Sequence, residues 1–290
     1  MDKEHMAIER IRLASDMSFR FYEKPVLLCY SGGKDSDLLL QLTLAAGIPF
    51  EIQHSLTTAD APQTVNYVRK VFHDLEIRGI RANINRGLYK GHTASMWNLI
   101  PQKLMPPTRL IRYCCSILKE TAGKNRHIMT GIRWAESTAR KGRGIYESIE
   151  HKRENRIILT NDNGDFRKLH ERCEVKSETV TNPVIDFSDS EVFDFLGNTP
   201  LNPLYDMGFN RVGCIGCPMA GKQRYREFEI FPAYKMLYFR AFERMLKERE
   251  ARGKDTLWTC AEDVFRWWMD EDWRQVVFEN LEGGERHDQL

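Results

Sequence analysis

The chain has 290 residues, of which 42% are hydrophobic and 29% charged, a balance that excludes wholesale disorder, low-complexity fibre and a small disulfide-stapled fold. Lys+Arg 43 against Asp+Glu 41 leaves a formal charge of +2, so no global excess demands a polyanion and only local clusters can meet one. No apolar run is long enough to span a membrane and the charged N-terminus has no apolar signal core, so a cytoplasmic protein with reduced thiols and no membrane partner is expected.

Residues 5–22 carry Ile8, Ile11, Ala14 and Phe21 at near-helical spacing and predict an amphipathic first helix, closed by Lys24-Pro25. Residues 26–30 form a short apolar run of buried-strand length. Ser31-Gly32-Gly33-Lys34-Asp35-Ser36 follows at once, and residues 37–46 read as a helix ended by Gly47. Strands are then expected at 50–54, 80–84 and 127–134, with helices at 62–75 and 96–104 and a helix start at 114–120. Strand and helix taking turns predict an α/β fold, a Rossmann-like doubly wound parallel sheet. Residues 138–156, rich in Arg, Lys and Gly, read as a mobile loop, residues 157–160 as a short strand, and Asn161-Asp162-Asn163-Gly164 as a turn. Ser188 with Glu191 forms a capping box for a helix to Leu196. Residues 224–251, interrupted at Pro232, and residues 261–281, with Trp267, Trp268 and Trp273, read as a C-terminal helical extension with a frayed end. The expected division is 1–220 for a nucleotide-binding α/β domain with the cysteines, and 221–290 for a helical region packed on it.

The hexapeptide at 31–36 sits between strand and helix. Its glycines let backbone N–H groups approach an anion, and the helix adds the positive end of its dipole. Ser31 and Ser36 add hydroxyls, Lys34 a point charge, and Asp35 a cap or a ligand for Mg²⁺. The spacing is not that of the P-loop, which places four residues between its first glycine and Gly-Lys. SGGKDS resembles the PP-loop of the ATP pyrophosphatase (adenine nucleotide alpha-hydrolase-like) superfamily. That resemblance implies cleavage of ATP between the α and β phosphates, and the Rossmann-like sheet already expected.

Of the seven cysteines, four fall in pairs, Cys114-Cys115 and Cys214-x-x-Cys217, while Cys29, Cys173 and Cys260 stand alone. Four thiolates hold either Zn²⁺ or an iron–sulfur cluster; a redox pair or plain buried cysteines are the remaining options. Adjacent cysteines strain to reach one small ion, whereas a cubane offers separate corner irons, so a [4Fe–4S] cluster is favoured. Thr130-Gly131-Ile132-Arg133, Glu136-Ser137, Arg140, Asn202-Pro203-Leu204-Tyr205 and Gly213-Cys214-Ile215-Gly216-Cys217-Pro218 resemble the phosphoadenosine/adenosine phosphosulfate reductase family, whose cluster-bearing branch uses such a quartet. The resemblance implies that Arg133 and Arg140 face the nucleotide's phosphates or sulfate, with Arg109 and Arg112 as further candidates. His54 and Asp60 are candidates for the adenine or ribose pocket, with a structural role favoured.

Two departures matter. Sulfonucleotide reductases carry a nucleophilic cysteine in a C-terminal Glu-Cys-Gly-type motif, whereas the only C-terminal thiol here is Cys260, which reads as a helix start. The loop, moreover, is intact, as in members that cleave ATP. The chain thus resembles the enzymes of DNA phosphorothioation and tRNA thiolation. Lys34, Asp35 and Arg133 are then the expected catalytic residues. The expected partners are an adenine nucleotide, a sulfur donor protein such as a cysteine desulfurase or a thiol reductant, and nucleic acid guided by Arg133, Arg140, Lys141, Arg143, Lys152, Arg153 and Arg156. Reduction of adenylyl sulfate to sulfite and a non-catalytic cluster-bearing subunit are the alternatives.

Overall fold

The computed structural model describes residues 2–121, 123, 125–149, 158–160, 162 and 178–270. Trp273, Cys173, Lys152, Arg153, Arg156 and the turn residues Asn161, Asn163 and Gly164 lie outside the described residues.

Helix α1 (Lys3–Tyr22) starts at Asp2, whose carboxylate caps Glu4 N, and buries Ala7, Ile11 and Ala14. Then β1 (Val26–Cys29), α2 (Lys34–Ala46), β2 (Phe50–Leu56), α3 (Pro62–Ile77) and β3 (Ala82–Arg86) follow the expected alternation. A small hairpin, β4 (Leu88–Tyr89) and β5 (His92–Thr93), precedes α4 (Met96–Lys103), α5 (Tyr113–Leu118) and β6 (His127–Thr130). Next come β7 (Tyr146–Ile149), β8 (Ile158–Leu159), β9 (Glu178–Thr181) and α6 (Asp189–Leu196). The chain then forms α7 (Gln223–Ile230), α8 (Pro232–Ala251) and α9 (Ala261–Met269).

The main sheet has seven strands in the order β3-β2-β1-β6-β9-β7-β8. Strands β3, β2, β1, β6 and β9 run parallel, and β7 and β8 are antiparallel additions at one edge. Strand order runs outward one way from β1 to β3 and the other way from β6 to β9. The switch point therefore lies between β1 and β6, and a crevice opens beyond their carboxyl ends.

The loop expected at 138–156 is partly a strand. Ile145 and Tyr146 are buried, and Glu147 is drawn inside by Gly144 N–H (2.7 Å) and Arg143 Nε (2.7 Å). Internal pairing overrides the Arg/Lys/Gly bias of the surrounding sequence. Strand β9 was not expected from its polar sequence, yet its Thr-Val-Thr carries the β-branched preference of a strand.

Two hydrophobic clusters dominate. One lies between the sheet and helices α1, α2, α3 and α6. The other joins α4, α7, α8 and α9 to Tyr113, Leu204, Phe209, Cys214 and Ile215. The aromatic residues at 258, 265, 267 and 268 are core or core-edge residues, not a free stacking face. No helix among the described residues is long and apolar enough to cross a membrane.

Candidate functional site

Strand β1 delivers the chain to the switch point. Gly32 then turns it at φ +76, where an added Cβ would also strike Val68 Cγ2 at 2.9 Å, so only glycine fits. Gly33 is extended and caps α2. Its N–H donates to Ser36 Oγ (3.1 Å), and the Ser36 hydroxyl donates back to the Gly33 carbonyl (2.7 Å). Ser36 thus braces the loop, and Ser31 Oγ reaches it at 3.3 Å. The segment after α6 holds the loop from outside. Buried Asn202 Nδ2 donates to the Gly32 carbonyl (2.9 Å) and Thr64 Oγ1 (3.1 Å), while the Tyr205 hydroxyl accepts the Lys34 N–H (2.9 Å).

Four charges alternate at the mouth. Lys34 Nζ lies 3.1 Å from both Asp35 Oδ1 and Asp189 Oδ1; Arg133 reaches Asp35 Oδ1 through Nε and Asp189 Oδ1 through Nη2, each at 2.7 Å. Arg133 leaves the end of β6 with a side chain 0% exposed, and its Nη1 donates to the Phe187 carbonyl (3.0 Å). Arg133, expected on the phosphates or a nucleic-acid backbone, pairs in the structure with two carboxylates and a carbonyl, and Lys34 pairs with the same two carboxylates. Arg140 pairs with Glu136 instead. Burial pulls its pKa down, as do neighbouring Arg143, Arg211 and Arg133, while Asp35 opposes the shift. Arg140 is therefore a cation crowded by others beside the mouth.

Behind the loop lies Asp37. Burial first, and Asp35 second, push its carboxyl up to about 6, against hydrogen bonds from Tyr30 and Tyr67. A carboxyl raised in the folded state binds a proton that the unfolded chain has released, so the contribution of Asp37 to stability is expected to fall by about 3 kcal/mol as pH rises from about 4 to about 6 and to stay constant above. Asp37→Asn is expected to raise unfolding stability at pH 7.5 by about 1–3 kcal/mol and to give no gain at pH 4, measured by urea unfolding. A variant equally or less stable at pH 7.5 contradicts this assignment.

His54 is buried, and its Nδ1 donates to the Tyr30 carbonyl at 2.9 Å. Asp60 belongs with the thiols. Its carboxylate accepts Thr57 N–H (2.7 Å), and its backbone bridges Cys214. Cys214 donates to Thr57 Oγ1 (3.2 Å), and Ile215 N donates to the Ala59 carbonyl (2.8 Å), so the loop leaving β2 carries the second cysteine pair. The first pair opens α5. The hydrogen bond with Cys115 and burial, and after them the charges of Cys115, Cys214 and Cys217, push the Cys114 thiol up, and Cys114, Cys214 and Cys217 pack on the same hydrophobic cluster. Cys115 is drawn down by its hydrogen bond with Cys114, then by Arg112 and Lys119, and Arg112 Nη2 donates to its sulfur at 3.2 Å. Lys119 is held up by Cys214 first, then by Asp60, Cys115 and Cys217. No three His, Cys, Asp or Glu side chains among the described residues converge on the position of a single ion. Arg109 Nε donates to the Pro218 carbonyl (3.2 Å) and ties the two cysteine segments together. One stretch, 202–217, thus touches the glycine loop at its start and carries two cysteines at its end. Cys260 caps α9, as expected.

Asp189, Lys119 and the Tyr30–Asp37 pair were not singled out from sequence. Asp189 and Lys119 take their partners from distant segments, whereas Tyr30 and Asp37 flank the glycine loop and meet only because that loop turns back on itself.

The family described as phosphoadenosine phosphosulfate reductase domain matches residues 25–220. Two uncharacterized proteins of Methanocaldococcus jannaschii are similar. One is 29% identical over 208 residues (68% of this chain, 36% of that protein) and the other 25% over 213 residues (70% and 44%). The chain therefore spans less than half the length of these curated relatives. Among solved structures, the phosphoadenylyl-sulfate reductase of Candida auris, a phosphate complex, superposes with TM-score 0.44 at 17% identity over 72% of this chain and 87% of that one. The FMN adenylyltransferase of Candida glabrata, with FAD and inorganic pyrophosphate, gives 0.44 at 14% identity over 73% and 63%.

Proposed function

The chain belongs to the phosphoadenosine phosphosulfate reductase domain family, and from that premise we propose that it binds ATP·Mg²⁺ at the loop after β1 and cleaves it between the α and β phosphates in a sulfur-transfer reaction. The acceptor in this proposal is nucleic acid, as in DNA phosphorothioation, and the sulfur comes from a donor protein such as a cysteine desulfurase; a thiol reductant would be the partner in the reductase alternative. One observation carries the nucleotide site: a glycine turn and helix N-terminus at the switch point, with Lys34 at the first helical position.

The residues divide the work. Backbone N–H groups of residues 32–36, with Lys34, would take the charge that develops on departing pyrophosphate; those of Gly33 and Lys34 rest on Ser36 Oγ and Tyr205 Oη and must exchange these partners for the phosphate. Arg133 keeps Asp35 aimed at the mouth, and Arg140 faces the remaining phosphate or the acceptor. Oxygen donors suit Mg²⁺, and the Asp35 carboxylate, 21% exposed, would hold it. Cys114, Cys115, Cys214 and Cys217 would hold a [4Fe–4S] cluster: their thiolates are the ligands such irons take, and Arg112 and Lys119 lie near enough to balance thiolate charge. When bound, such a cluster supplies a redox-active or sulfur-binding centre beside the loop.

The test resolves the products of ATP·Mg²⁺ incubated with the protein, nucleic acid and a sulfur donor. AMP and pyrophosphate are expected; ADP with phosphate, or no turnover under any condition, contradicts the proposal. Sulfite formed from adenylyl sulfate would point to the reductase chemistry instead. Anaerobically purified protein is expected to be brown, with about four irons per chain, and Cys214→Ser to lose them. A colourless, zinc-loaded protein defeats the cluster assignment.

A further inference from the structure

The alternating charges at the mouth include one member that differs from the rest. The Asp189 side chain is 64% exposed, whereas those of Asp35, Lys34 and Arg133 are 21%, 11% and 0% exposed. We propose that Asp189 is a built-in counter-anion of the phosphate loop. It occupies the cations that a polyphosphate needs, yields Lys34 to the incoming β and γ phosphates, and returns to Lys34 as pyrophosphate leaves. This role rests on the proposed polyphosphate site and assigns to it a residue that competes with product.

The geometry supports an exchange of side chains with the helix left in place. Helix α6 is anchored by its own cap: Glu191 Oε2 accepts Ser188 N–H (2.7 Å) and the Ser188 hydroxyl (2.8 Å), and Lys3 Nζ sits 2.7 Å from Glu191 Oε1. Asp189 is the first residue of that helix, so a χ rotation carries its carboxylate into solvent. When it leaves, Arg133 keeps Asp35 and the Phe187 carbonyl, while its buried Nη2 loses the Asp189 oxygen and needs the incoming phosphate as its new acceptor. Lys34 is affected as well. It retains Asp35 and the face of Phe193, 5.8 Å from its amino group and one helical turn beyond Asp189. Asp189 and Phe193 therefore form one helix face that covers the Lys34 amino group, and of the two only Asp189 competes with phosphate for charge.

An exposed carboxylate is the right kind of residue for this task. Its pairing with cations is weak enough to be broken by a multiply charged ligand, because solvent screens it. It is nonetheless held ionised, since Arg133 first and Lys34 after it draw its pKa below the usual carboxylate range. A ligand that does not reach Lys34 need not displace it. The cost of displacement therefore falls on ATP and pyrophosphate and spares AMP.

The experiment is equilibrium titration of inorganic pyrophosphate and AMP into wild type, Asp189→Asn and Asp189→Glu, with melting temperatures recorded with and without pyrophosphate. Asp189→Asn is expected to bind pyrophosphate about tenfold more tightly and AMP with unchanged affinity, while Asp189→Glu returns to wild-type affinity. The asparagine variant should also melt below wild type without ligand, and the gap should close at saturating pyrophosphate. Pyrophosphate binding equal to or weaker than wild type, or an equal gain for AMP, overturns the assignment of Asp189 and leaves the polyphosphate site standing. Failure of wild type and variants alike to bind pyrophosphate overturns the site itself, and the counter-anion with it.

Discussion

Lys34→Met is expected to slow pyrophosphate release from ATP by about 10²- to 10³-fold while the protein stays folded, the scale for losing one preorganised donor to a developing charge. The side chain is 11% exposed and lies against Asp35, Asp189 and the Phe193 ring, a partly desolvated place where a point charge acts strongly. Methionine keeps the stem and removes the ammonium. The fold tolerates the change because Arg133 still pairs with both carboxylates. Lys34→Arg is not expected to restore the rate, since a planar fork cannot occupy the point between two carboxylate oxygens each 3.1 Å away. Product formation within tenfold of wild type in Lys34→Met would remove Lys34 from the chemistry.

Gly216→Ala is expected to destabilise the chain by about 2–4 kcal/mol, combining a left-handed backbone with overpacking. Gly216 lies between Cys214 and Cys217 at φ +75, and an added Cβ would meet Phe228 Cζ at 2.6 Å and Trp268 Cη2 and Tyr238 Cε2 at 3.0 Å. The same turn is fastened by Gly216 N–H on Glu227 Oε2 (2.7 Å) and the Tyr238 hydroxyl on the Ile215 carbonyl (2.8 Å). Trp268 backs both, with its ring 4.5 Å from Tyr238 and its Nε1 donating to the Pro107 carbonyl at 2.7 Å. The cysteine turn is thus bolted to the aromatic core of the C-terminal helices. Urea unfolding measures the loss, with Trp268→Ala, about 3–5 kcal/mol, as the reference for that core. A change under about 1 kcal/mol for Gly216→Ala would mean the turn is free to move off the aromatic residues.

The alternation of apolar runs and helices makes the parallel part of the sheet legible in the sequence, and SGGKDS can be read within it because strand, turn and helix are contiguous. Strands β7 and β9 escape for the opposite reason: their residues are polar or flanked by charge, and each is buried by pairing with strands on both of its sides. The same holds at the site. Arg133 reads as a phosphate ligand when taken alone, but residues 35, 133, 187 and 189 meet only when the exits of β1, β6 and β9 converge. The vicinal and spaced cysteines are visible as pairs, while their common neighbourhood depends on the loop after β2 holding residues 214 and 215.

The most direct measurement of the central claim is competition binding of ATP·Mg²⁺ against inorganic pyrophosphate and AMP, in wild type and in Lys34→Met. ATP binding that pyrophosphate displaces, that AMP displaces far less well, and that Lys34→Met loses is the predicted result. ATP that stays bound under saturating pyrophosphate, or binds Lys34→Met as it binds wild type, would place the nucleotide elsewhere and contradict the account.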